Sequence, residues 1–65
     1  MKIVLNGMSL DTNQVTLAGL LEEQGYKDLM IATAVEQSFV SKDQRVSTRL
    51  YEGCHIDVVA PMQGG

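Results

Sequence analysis

The sequence is poor in several features that commonly announce a function. It has a single cysteine, Cys54, so an intramolecular disulfide is excluded and a reducing compartment is expected. It is short of cations: five Lys and Arg stand against eight Asp and Glu, for a net charge of −3. Phosphate-backbone binding needs clustered cations that release counterions, which argues against nucleic acid, and an acidic chain suits a basic protein partner better. No apolar run approaches the roughly 20 residues that cross a bilayer. No charged start leads into a long apolar stretch, and no short lipidation motif stands at either end. A cytoplasmic protein without membrane contact is expected. The six glycines are scattered or terminal, so there is no Gly-rich loop to hold the phosphates of a nucleotide. Repeats, coiled-coil heptads and low-complexity segments are likewise missing.

What is present is 65 residues with a hydrophobic fraction of 45%, enough for one compact domain. A chain this short buries only about 60% of the surface its unfolded form exposes. Its apolar residues are therefore taken up by the fold, and a deep active-site cleft is not expected.

The opening Met1-Lys2-Ile3-Val4-Leu5 is β-rich, with Ile3 and Leu5 on one face, and runs into Asn6-Gly7, the strongest short hairpin signal. Met8-Ser9-Leu10 continues as the second strand, and Asp11-Thr12-Asn13-Gln14 is a polar break. Between Val15 and Gln24 the period changes: Leu17, Leu20 and Leu21 recur at helical spacing, Thr16 is a plausible N-cap, and Gly25 sits where helices commonly end. Gly19 within that helix costs roughly 1 kcal/mol relative to Ala. It points either to a close approach between helix and sheet or, the favoured reading, to a helix that depends on tertiary packing. The nearly unbroken apolar run from Leu29 to Val35 reads as a central strand ending at Glu36-Gln37, and Ser38-Phe39-Val40 as another short one. Residues 41–49 are polar apart from Val46 and read as a surface loop, with Leu50 anchoring its return. Cys54, Ile56, Val58 and Ala60 alternate with His55, Asp57 and Val59, giving a last strand with one core face. The order is ββαβββ, an α+β chain whose domain spans residues 1–60 and whose tail spans 61–65.

That tail, Pro61-Met62-Gln63-Gly64-Gly65, carries the functional signal. Glycines without a Cβ admit backbone approaches closed to other residues and lose much entropy when ordered; a folded domain gains nothing from them. Five extended residues reach about 17 Å, enough to carry a terminal carboxylate into a narrow channel of a partner. Pro61 fixes φ and withholds a donor where the strand should stop. A carboxylate is a poor acyl donor until activated, and conversion to an acyl adenylate lets a sulfur nucleophile displace AMP. The activating machinery must belong to another protein.

The stretches Met1-Lys2-Ile3-Val4-Leu5-Asn6-Gly7, Val15-Thr16-Leu17-Ala18-Gly19-Leu20-Leu21, Ile31-Ala32-Thr33-Ala34-Val35, Glu52-Gly53-Cys54 and Gly64-Gly65 together resemble the thiamine-biosynthesis sulfur carrier family over the whole chain. The resemblance implies a ubiquitin-like β-grasp fold, a mixed sheet of four to five strands packed on one main helix. It implies that Gly65 is adenylated and converted to a thiocarboxylate, that Gly64 permits tail insertion, and that the chain is a protein cosubstrate rather than an enzyme. The implied partners are an adenylating enzyme similar to ubiquitin-activating enzymes, which uses ATP and Mg, and thiazole synthase. No cofactor is bound by the chain itself, and a monomer with transient partners is expected. An outward-facing apolar patch would dock the partners, with Val4, Val59 and Met62 as candidates. The chain departs from the family's common pattern at Glu36-Gln37, where Asn-Gly is usual, and at Cys54, where an acidic residue often follows Glu-Gly.

Other constellations carry less. Cys54 lies on the inward face and reads as a structural thiol. His55 and Asp57 share the outward face, but no third ligand or nucleophile accompanies them, so a solvated surface is expected and no metal site. Glu22-Glu23 reads as a helix exterior that can steer docking. The rival functions are the small subunit of molybdopterin synthase, generally longer and with a more aromatic segment than Val58-Val59-Ala60-Pro61, a sulfur carrier for another metabolite pathway, and, from a different class, a ubiquitin-like modifier or a passive interaction domain.

Overall fold

A computed structural model describes residues 1–26 and 30–60 of the chain. The first two strands, β1 (Lys2–Leu5) and β2 (Met8–Asp11), form the expected hairpin, antiparallel with Ile3 opposite Leu10 and Leu5 opposite Met8. Asn6 and Gly7 both take the left-handed conformation, φ 51 and 83, as a two-residue type I′ turn demands, a turn whose twist matches that of the flanking strands. The polar break after β2 is anchored at buried Thr12, whose hydroxyl donates to Glu23 Oε1 at 2.7 Å and accepts from the Gln14 N–H at 3.0 Å.

Helix α1 (Leu17–Glu23) starts where the sequence places it. Thr16 is extended, and its Oγ1 accepts from the Gly19 N–H at 3.1 Å, satisfying one of the donors a helix start leaves free. Leu17, Leu20 and Leu21 form the buried stripe. The helix closes on Gly25 at φ 86, with the Gly25 N–H donating to Glu22 O at 3.2 Å and the Tyr26 N–H to Leu21 O at 2.8 Å. That pair of bonds is a Schellman motif, and Tyr26 packs against the core beside it. A Cβ at Gly19 would lie 2.5 Å from Gln14 Oε1 and 3.3 Å from Thr16 Oγ1. The tight neighbours of this glycine are thus the side chains leading into the helix and not the sheet.

The remaining strands are β3 (Ala32–Val35), β4 (Ser38–Val40) and β5 (His55–Val59), and the sheet order is β2-β1-β5-β3-β4. β5 runs parallel to β1 and antiparallel to β3. The expected central strand needs correcting on two points. The strand begins at Ala32, Met30 being 78% exposed and Leu29 lying outside the described residues; and the middle of the sheet is β5, with β3 beside it. An unbroken apolar run reports hydrophobicity, not sheet position, and β3 is apolar on its outer side through the small residues Ala32 and Ala34.

Between β4 and β5 the surface loop contains a 3-10 segment, Lys42–Ser47. Leu50 is buried and does anchor the return, its N–H donating to Val15 O at 2.9 Å while the Leu17 N–H donates to Thr48 O at 2.9 Å. The core between sheet and helix consists of Ile3, Leu17, Leu20, Leu21, Val40, Leu50, Cys54, Ile56 and Val58. Cys54 is a free, buried thiol in that core.

Candidate docking face and tail origin

Side chains along a strand alternate between faces, so one strand of known burial fixes the outward side of its neighbours. In β5, Ile56 and Val58 are buried while His55, Asp57 and Val59 are exposed. Register then brings Ala34 beside Asp57 and Ala32 beside Val59, and Phe39 beside Ala34. The outward face therefore carries a contiguous apolar strip of Phe39, Ala34, Ala32 and Val59, with Asp57 on its border. Phe39 is 72% exposed and Val59 62%. The alanines are too small to cover either, so both side chains project from a nearly flat surface.

Val4, the other outward candidate, is half-buried and stands opposite His55. It is thus four residues of β5 away from Val59, about 13 Å along the strand. The two share a face, but the apolar strip gathers around Val59 and not around Val4. Met62, Gly64 and Gly65 lie outside the described residues. Sequence reasoning missed Phe39. The signal available was that adjacent strand residues cannot both face the core: with Val40 inward, Phe39 is forced outward.

His55 and Asp57 are both exposed on this face, and among the described residues no three His, Cys, Asp or Glu side chains converge on a possible metal position. Glu36 and Tyr51 lie at the end of the sheet where β5 begins. Desolvation, then the Glu36 carboxylate and Cys54, raise the Tyr51 phenol above its usual value. No helix among the described residues is long and apolar enough to cross a membrane.

A five-stranded mixed sheet with a parallel β1–β5 pair at its centre and one helix against a single face defines a ubiquitin-like β-grasp protein. The chain belongs to the ThiS family, whose model matches residues 4–65. Among solved structures it is similar to a thiamine biosynthesis protein (ThiS) from Geobacter metallireducens, over 100% of both chains with a TM-score of 0.84. Sequence identity in that pair is 14%, so the likeness speaks for the fold. A search of curated proteins gave no match. Membership of the family carries the coarse function with it: a small sulfur carrier and not a catalyst.

Proposed function

We propose that this carrier works through the carboxylate of Gly65 and delivers sulfur for the thiazole ring of thiamine. In the first step a carboxylate oxygen of Gly65 attacks the α-phosphorus of ATP held by a separate adenylating enzyme, and pyrophosphate leaves. A sulfur nucleophile then attacks the activated carbonyl carbon, the bond to the adenylate oxygen breaks, and AMP departs. With hydrosulfide as the nucleophile its proton is lost to solvent and a thiocarboxylate remains, one oxygen of Gly65 having been exchanged for sulfur. With a persulfide donor the acyl disulfide first formed is cleaved to the same product by a thiol reductant, which is oxidised to a disulfide. Thiazole synthase takes that sulfur. ATP and Mg belong to the adenylating partner, and this chain binds no cofactor of its own. It acts in the cytoplasm as a monomer that docks transiently.

The observation that carries this reading is where β5 ends. Val59 closes the strand inside the apolar strip with Ala32, Ala34 and Phe39, and Gly64-Gly65 follow within six residues. A partner seated on that strip lies within reach of the reacting end, with Gly64 adding no side chain to obstruct a narrow channel. Small apolar patches with polar rims suit transient interfaces, and the net charge of −3 favours a basic partner.

The test is the intact mass of the chain after incubation with its host's adenylating enzyme, ATP and a sulfur donor, beside a variant lacking Gly65. A gain equal to replacing one oxygen by sulfur is expected in the full chain only. No gain with a demonstrably active enzyme, or adducts to lysines in its place, overturns the proposal.

A further inference from the structure

In a regular parallel ladder each bonded residue donates its N–H to the neighbouring strand and accepts, on its carbonyl, from a residue two positions further along that strand. Between β1 and β5 the Val4 N–H donates to Cys54 O at 2.9 Å and the Asn6 N–H to Ile56 O at 2.8 Å. The regular continuation would have the Asn6 carbonyl accept from Val58. At Asn6, however, the chain has turned, with φ 51. The side chain stands in: Asn6 Oδ1 accepts from the Val58 N–H at 2.8 Å. One asparagine thus makes the turn and prolongs the ladder by one rung in the direction of the tail.

The same replacement of backbone by side chain occurs at the opposite end of β5. Glu36, also turned at φ 50, donates its N–H to His55 O at 2.8 Å, and its Oε2 accepts from the His55 N–H at 2.8 Å. The two lesions that would remove these acceptors are therefore alike in kind and differ in place. Only Asn6 acts at the end from which the tail departs.

We infer that Asn6 is a positioning residue for the reaction at Gly65. Strand β1 stops at Leu5, so on that side of β5 the Asn6 amide oxygen is what holds Val58, seven residues before Gly65. Without it the Val58 N–H loses its partner on that side and the end of β5 is held from the β3 side alone, through the pairing of Ala32 with Val59. Asn6 is no part of the docking strip, and Val59 within the strip keeps its pairing with Ala32. This inference rests on Gly65 being the reacting group.

The experiment measures thiocarboxylate formation by the host's adenylating enzyme, with ATP and a sulfur donor, at varied concentrations of the chain. It compares the parent with Asn6→Gly, Asn6→Asp and Glu36→Gly. Glycine accepts the turn conformation, so Asn6→Gly removes the acceptor without straining the backbone, and Asp restores it. Asn6→Gly is expected to lower kcat about tenfold, since a misplaced reacting group costs rate, with KM within about twofold of the parent. Asn6→Asp is expected to recover most of that loss, and Glu36→Gly to match the parent. Parent-like kcat in Asn6→Gly, or an equal fall in Glu36→Gly, overturns the inference, because a general loss of stability then explains the effect. Should circular dichroism show Asn6→Gly unfolded, the whole comparison is repeated in the background of Gln37→Gly, a change that relieves a left-handed backbone at φ 69 far from Val58, with the same expectations. Failure of the Gly65 reading is distinguished by the parent alone, which then gains no sulfur and overturns both.

Discussion

Two hairpin turns in this molecule have the same backbone and different residues. Asn6-Gly7 uses the two residues that tolerate the left-handed region best, whereas Glu36 and Gln37 occupy it at φ 50 and 69, each at a steric cost of about 1 kcal/mol. Glu36 has a compensation in the hydrogen bond its carboxylate accepts from His55. Among the described residues nothing compensates Gln37. Gln37→Gly is accordingly expected to stabilise the fold by about 1 kcal/mol, read as a higher urea midpoint at unchanged slope; an unchanged or lower midpoint would refute the strain. The pair also shows what was legible residue by residue. Asn6-Gly7 announces its turn because both residues prefer it. Glu36-Gln37 is visible only as the end of a strand, because neither residue has a local preference for the conformation it adopts, and its cause lies in β5, which is distant in sequence.

At the scale of elements, the 3-10 segment Lys42–Ser47 is more than a surface crossing. Arg45 extends to the start of β3, its Nη2 donating to Ile31 O at 2.8 Å and its Nε to Thr33 Oγ1 at 3.2 Å. Buried Thr33 in turn donates to Val40 O at 2.9 Å, so three elements share one chain of bonds. Arg45→Ala is expected to cost about 1.5–3 kcal/mol in urea unfolding, the range for hydrogen bonds to a charged group. Thr33→Val, which keeps the shape and removes the hydroxyl, is expected to cost a similar amount, and the double variant less than the sum. Strict additivity would show that the network does not act as a unit. A polar stretch without periodicity reads correctly as loop, but composition holds no information on which carbonyl a long side chain will reach. Helix α1 was legible almost to the residue, because cap, stripe and terminal glycine are all local signals.

For the molecule as a whole, the sequence revealed which residues face inward better than which strands are neighbours. Alternation in β5 predicts the buried Ile56 and Val58 and the exposed Val59, yet no pattern within the strand says that it lies between β1 and β3. The docking strip inherits that limit: Val59 was visible, while Phe39 joins it only through the β3–β4 and β3–β5 registers. Since Phe39 is 72% exposed, Phe39→Ala is expected to leave the unfolding midpoint nearly unchanged. In the proposed reaction it should raise KM about tenfold at similar kcat, the scale of a docking anchor. Unchanged KM would place the partner on another face.

The parallel pairing of β1 with β5 has a mechanical consequence. Tension applied between the first strand and the end of the last acts along both strands in opposite senses, so the rungs joining them are strained together in shear and not peeled apart in turn. The side of β5 facing β3 resists independently. A partner that draws on the last residues therefore pulls against the middle strand of the sheet, held on both sides, and the domain is built to be let go of whole.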